Sequence, residues 1–164
     1  MSCLGYVAFQ LGTPELLMES FFGRLGPDAP LRGRDVVAAV RPCWEFAREA
    51  AVRGGGAKKK TEQGAMPSAD GRFTLLWHGA AGVCHALVCQ RSCNADLGLN
   101  FLQVFASVLA DHAKGGALET FQVKPDEALV LLDKFLPSGQ LLVLSNNLIR
   151  HLKKEADAVI IQKA

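Results

Sequence analysis

Phe121-Gln-Val-Lys-Pro-Asp-Glu-Ala-Leu-Val-Leu-Leu-Asp-Lys-Phe-Leu-Pro-Ser-Gly139 carries the end of a strand, a helix and a stop in one short run. Pro125 suits the first helical position, where its fixed φ helps and its missing N–H would be unpaired anyway. Asp126 and Glu127 then meet the positive end of the helix dipole. Ala128, Leu129, Leu132, Phe135 and Leu136 form the expected buried face, and Pro137-Ser-Gly ends the helix. Phe121 to Val123 reads as the end of a strand, and Leu141 to Leu144 as another short one. Ser145 or Asn146 can cap a last helix with Leu148, Ile149, Leu152 and Ala156 on one side. Nothing between Leu118 and Asp157 groups side chains for chemistry. The stretch points to a protein that works by packing against others.

Upstream, Leu97 to Ala113 predicts a helix whose polar positions shrink to the stripe Asn100, Gln103, Ser107 and Asp111. Phe101, Leu102, Val104, Phe105, Val108 and Leu109 cover much of the rest, so more than one side must be buried. Asn94 to Asp96 is a turn. Arg72 to Trp77 and Val83 to Gln90 are strand-like runs around Gly79-Ala-Ala-Gly82, a hairpin signature of open turn type. The stretch at about 54–71, with Gly54, Gly55 and Gly56 followed by Lys58, Lys59 and Lys60, has no apolar period and predicts a flexible loop.

Arg34 to Arg53 places Val36, Val40, Trp44, Ala47 and Ala51 on one helical face. Pro42 should kink this helix or delay its start, since an interior proline costs roughly 3 kcal/mol. Cys3 to Leu11 reads as a buried strand, Glu15 to Leu25 as a strand or helical turn, and Gly26 to Gly33 as a loop. The sum is one α+β domain over residues 1–164, an antiparallel sheet flanked by helices.

The 164 residues suffice for a single core without staples. A net charge of +2 gives no support to nucleic-acid binding. The apolar runs, such as Ala128 to Leu132, fall far short of the ~18 residues a membrane span needs. The opening Met-Ser-Cys-Leu-Gly-Tyr lacks the basic start of a secretory signal, and Ser2 excludes myristoylation. Five cysteines, an odd count, favour reduced thiols in the cytosol.

Cys84, His85, Cys89 and Cys93 have metal-ligand side chains, but Cys84 and His85 are adjacent and would point to opposite faces of a strand. Buried thiols packed as small hydrophobes are the alternative, and the expectation is no metal and no cofactor. A Cys/His nucleophile pair could draw on His78, His85, His112 or His151, yet no local signature singles one out. Gly54 to Gly56 and the lysines after them lack the spacing of a phosphate-binding loop. A solvated loop is the plainer reading. Lys58, Lys59 and Lys60 could touch an acidic membrane at about 1 kcal/mol per charge.

Ala128, Leu132, Asp133, Phe135, Leu136 and Gly139 stand at the spacing that closes the small (sigma) subunits of clathrin-type adaptor complexes, and Leu109-Ala-Asp-His lies where those subunits carry a long apolar helix. The chain resembles that family over about Val83 to Asp157. Its first half departs from the common sigma pattern, with Arg72-Phe-Thr-Leu-Leu-Trp-His replacing a Tyr-Arg-Arg strand, and is similar to the sigma subunit of the fifth adaptor complex. The resemblance implies a longin-like domain, a five-stranded antiparallel sheet flanked by helices. It further implies a non-catalytic subunit in a heterotetramer with two large subunits and a medium one. Such a subunit would be cytoplasmic and peripheral on late endosome or lysosome membranes, alongside spatacsin and spastizin. Dileucine-cargo recognition is not carried over.

Phe101, Val104, Phe105 and Val108 are the expected contacts with a large subunit; their alternative is burial under the chain's own last helix. Rival readings are another longin or roadblock-type trafficking platform, such as a GTPase regulator or tethering-complex subunit, and a thiol or zinc enzyme.

Overall fold

The computed structural model describes residues 3–13, 15–22, 31–53 and 62–163. Along the chain come β1 (Cys3–Gln10), β2 (Leu16–Phe21), α1 (Gly33–Arg53), β3 (Gln63–Pro67), β4 (Phe73–Ala80) and β5 (Val83–Gln90). Then follow α2 (Ala95–His112), α3 (Gly116–Val123), α4 (Pro125–Phe135), a single 3-10 turn at Pro137–Gly139, and α5 (Asn146–Lys163). The strands form one sheet in the order β2-β1-β5-β4-β3, every neighbouring pair antiparallel. This is the α+β architecture expected from the sequence.

Strand alternation divides the core in two. Val7, Phe9, Leu75, Trp77, Ala86 and Val88 point toward α1 and meet Val36, Val40 and Trp44. Tyr6, Ala8, Leu76, Leu87 and Cys89 point the other way, into a larger core built with α2, α3, α4 and α5. Because helices cover both faces, the central strand β5 is buried from Val83 to Cys89 and does not alternate. Trp44 can pack closely on β4 because Gly79 has no side chain there: a Cβ at Gly79 would collide with the indole ring. Gly139 is the second glycine the fold requires, at φ 82, with the Cys3 carbonyl where its Cβ would be.

Several sequence expectations are corrected. The expected loop at 54–71 contains β3, which pairs with β4 from Gln63↔His78 to Pro67↔Thr74. As an outer strand it accommodates Pro67 at its end, which is why its composition looked like a loop. Residues 54–61, with Lys58, Lys59 and Lys60, lie outside the described residues, as does most of the Gly26 to Gly33 loop. Phe121 to Val123 is the last turn of α3 and not a strand. The Thr120 hydroxyl, completely buried, donates to the carbonyls of Leu109 and Gly116, anchoring this short helix to α2. Leu141 to Leu144 joins no ladder among the described residues; only Gln140 forms an isolated bridge.

α1 starts at Gly33 and runs through Pro42. Pro42 and Ala38 are both exposed, so the carbonyl that proline leaves unpaired can turn to water. Ala51 is exposed near the end of α1, while Val36, Val40 and Trp44 hold the buried face. In α4, Leu131 and not Leu129 completes the buried face; Leu129 is 51% exposed.

Other boundaries follow local chemistry. Ala81 (φ 50) and Gly82 (φ 80) make the two-residue β4–β5 turn, both in the left-handed region that a type I′ turn demands. Asn94 Oδ1 accepts from the Leu97 amide at 3.2 Å to cap α2, and Ser145 Oγ accepts from Leu148 N at 3.2 Å to cap α5.

Candidate partner interface

The α2 residues expected at an interface divide by depth. Phe101 and Phe105 are fully buried, Val108 is nearly so, and Val104 is half-buried. Phe101 and Phe105 stack at 5.4 Å between ring centroids. Phe105 also meets Tyr6 edge-on at 5.5 Å and Phe135 of α4 at 6.0 Å. The over-apolar circumference of α2 is thus filled by the sheet on one side and by α3 and α4 on the other. Val104 remains at the surface, where it lines a shallow hollow of about 260 Å³ with Gln103, Ser107, Ile149 and Lys153. Of the four, Val104 is the most exposed. The aromatic pair beneath acts as its support.

Candidate catalytic groups are not brought together. Cys84 lies in the core facing α1, whereas His85 faces Tyr6 and Phe121 on the opposite side. The Tyr6 hydroxyl and His85 Nδ1 share a hydrogen bond of 2.6 Å; His85 Nε2 has no partner among the described residues. Burial pushes the His85 imidazole down to about 3, so it stays neutral at physiological pH. Burial raises the Cys84 and Tyr6 groups. The Cys89 thiol is raised first by its hydrogen bond with Cys3 and then by burial. Thiols held protonated in this way are poor nucleophiles. Among the described residues no group of three or more His, Cys, Asp or Glu is placed to hold a metal ion.

The polar ties between layers were not legible from local patterns along the chain. Gln63 Oε1 accepts from Gln103 Nε2 at 2.6 Å and lies 3.3 Å from His78 Nδ1, joining β3, β4 and α2. The Trp44 indole donates to Glu62 Oε2 at 2.9 Å, fixing α1 beside the start of β3. His112 Nε2 meets Glu127 Oε1 at 3.2 Å, joining α2 to α4. Partners so distant in the chain carry no local pattern.

A five-stranded antiparallel sheet between one helix and four others defines an α+β sandwich of helices around a single sheet. The comparisons with known proteins name the family. The profile described as AP-5 complex subunit sigma-1 matches residues 39–157, and the chain belongs to that family. The human protein AP-5 complex subunit sigma-1 is 33% identical over 86 residues. That alignment takes in 52% of this chain and 43% of the human protein's length, so the chain spans less than half of this relative. A chain of a homology model of the full-length AP-3 complex in a stretched open conformation has the same fold at a TM-score of 0.57, with 8% identity. The match covers 98% of this chain and 97% of that one. The longin-like fold implied by the resemblance is therefore the fold present.

Proposed function

We propose that this protein is the non-catalytic small subunit of a heterotetrameric adaptor complex, acting in vesicle-mediated protein transport at late endosomes and lysosomes. The family match over residues 39–157 carries the reading. Two further observations support it. The fold spends its polar side chains on joining layers, as Gln103, Glu62 and His112 do, rather than on a reactive centre. No helix among the described residues is long and apolar enough to cross a membrane, which suits attachment through a larger assembly.

Within the complex the partners are two large subunits and a medium one, with spatacsin and spastizin as associated proteins. The half-buried Val104 marks the surface of α2 for the large-subunit contact, supported from below by Phe101, Phe105 and Val108. The test is purification of the full-length tagged chain from its own cells. Large and medium adaptor subunits should co-purify in near-equal amounts, and the tag should localise with late endosome and lysosome markers. Recovery of a folded chain free of any adaptor subunit would sink the proposal.

A further inference from the structure

Three of the five cysteines meet in the larger core: Cys3, Cys89 and Cys93, all free thiols. Cys3 and Cys89 are partners in the β1–β5 ladder, just past a register shift between Cys3 and Gly5. The Cys89 thiol is the middle one of the three, in hydrogen-bond contact with Cys3 and with Cys93. Cys93 lies in the turn that leads from β5 to α2, where its amide donates to the Gln90 carbonyl at 3.0 Å. Cys3 and Cys89 are buried, whereas Cys93 is half-buried and reaches solvent. The other two cysteines have no such company among the described residues. Cys84 packs on the α1 side of the sheet, and the Cys43 thiol lies against the Ala39 carbonyl and Met66 Sδ.

Directly opposite residues of an antiparallel pair have Cα atoms about 4.5–5.5 Å apart, inside the roughly 4.4–6.8 Å that a disulfide spans. Both side chains enter the same core, so Cys3 and Cys89 meet this requirement from the same side of the sheet. What the buried pair lacks is access to an oxidant. The Cys89 thiol, held up first by its hydrogen bond with Cys3 and then by burial, is also a poor first nucleophile. Cys93 supplies the access, because it stands between the pair and solvent and touches Cys89.

We propose that Cys3, Cys89 and Cys93 form a redox-sensitive staple, in which a peroxide oxidises Cys93 and the oxidation ends as a disulfide between Cys3 and Cys89. Cys93, as thiolate, attacks one oxygen of hydrogen peroxide; the O–O bond breaks, and the departing hydroxide leaves as water with the proton that Cys93 gave up. Cys89 Sγ then attacks the Cys93 sulfenic acid, forming a Cys89–Cys93 bond and releasing a second water that carries the Cys89 proton. Finally Cys3 Sγ attacks Cys89 Sγ, the Cys89–Cys93 bond breaks, and the Cys3 proton ends on Cys93. In sum two thiols lose two electrons and two protons, and one peroxide becomes two waters. The staple closes a loop running from β1 through α1 to β5. It also withdraws the Cys3 thiol from the Gly139 carbonyl, to which it donates at 3.2 Å, so β1 gains a tie to β5 while the turn after α4 loses one. The staple belongs to the domain itself and does not depend on the adaptor reading.

The experiment treats the full chain with hydrogen peroxide, alkylates the remaining thiols under denaturing conditions and maps cross-links by mass spectrometry after digestion. One disulfide, Cys3–Cys89, should form, with the intact mass lower by about 2 Da for the two hydrogens lost and with Cys43, Cys84 and Cys93 still alkylated. Dithiothreitol should reverse it. The oxidised chain should melt at least about 4 °C higher, because a long loop of the unfolded chain is closed. Amides of β1 should exchange more slowly, and those of Gly139 and Gln140 faster. Cys93→Ser should slow the cross-link at least about tenfold and leave its position unchanged, while Cys43→Ser should alter neither. Mapping of the parent chain decides the product even where a variant folds poorly. Oxidation confined to Cys93 or Cys43, as sulfinic acid or as a disulfide between two chains, overturns the staple, as does a cross-link that stops at Cys89–Cys93. Cross-linking of Cys93→Ser at the parent's rate removes Cys93 as the point of entry and overturns the relay.

Discussion

The two faces of the sheet are covered in different ways. One face carries α1 alone, and its core is small: Val36, Val40 and Trp44 against Val7, Phe9, Leu75 and Trp77. The other carries four helices, whose aromatic centre is Phe101, Phe105 and Phe135 with Tyr6. A lone helix needs pinning, and here the pins are specific. Trp44 donates to Glu62, Arg48 lies 4.0 Å from the same carboxylate, and Arg41 lies over the Phe9 ring at 5.5 Å. Four helices hold one another, so the larger layer can leave apolar surface uncovered at its outer seam between α4 and α5. One layer is pinned by polar and cation–π contacts and the other by helices packed on one another, and both keep apolar side chains at the surface: Phe46 and Val52 on α1, Leu129 and Ile161 on α4 and α5.

Phe105→Ala should give the largest loss of stability, about 3–5 kcal/mol, because it empties the centre of the four-helix layer. Urea unfolding with an unchanged slope measures it. A loss below about 1 kcal/mol would mean that the layer closes around the gap and that its packing is not what supports Val104.

Acid should act through the same layer. The folded His85 group sits at about 3, below its ordinary value near 6.5, so the unfolded chain takes up the proton first. Stability should therefore begin to fall as pH drops below about 6.5, by up to about 1.4 kcal/mol per pH unit, and continue falling toward pH 3. His78, lowered chiefly by burial, contributes in the same direction. The double variant Tyr6→Phe with His85→Leu should flatten this dependence. An unchanged pH profile in that variant would remove His85 as its source.

On the α1 face, Glu62→Gln should cost about 1–2 kcal/mol, since the indole then donates to a neutral partner and Arg48 loses its nearby carboxylate at 4.0 Å. Exchange of α1 amides should quicken while those of α2 stay as they were. Equal quickening on both sides would show that the two layers open as one unit.

The smallest effect expected is a gain. Ala81 occupies φ 50 in a type I′ turn, and Ala81→Asn should stabilise by about 0.5–1 kcal/mol, read as a higher thermal midpoint. A lower midpoint would mean that the turn is not strained.

Elements with strong local signals were legible along the chain. The Pro125-Asp-Glu start of α4, the Ser145 cap and the long apolar α2 all formed where their residues call for them. The β4–β5 hairpin did so as well. Elements whose local signal opposed the outcome were not. Gln63 to Pro67 becomes a strand because β4 supplies a ladder, and Phe121 to Val123, strand-like by composition, is helical because Thr120 ties α3 to α2. Propensity is worth tenths of a kcal/mol per residue, and such tertiary bonds outweigh it.

The candidate interface divides along the same line. That α2 is apolar nearly all round, and so must be covered on more than one side, follows from Phe101, Leu102, Val104, Phe105, Val108 and Leu109 alone. Which of those residues meets solvent does not, because it depends on where α3, α4 and α5 come to rest. The same holds for Leu129. Periodicity assigned it to the buried face, yet the packing of α4 on α2 turned Leu131 inward and left Leu129 beside Asp126 and Asp133. Sequence determines which helices must be buried, since side-chain chemistry repeats at the helical period. Only the tertiary structure decides which side of each helix is left over, because that is set by the neighbours that arrive from elsewhere in the chain.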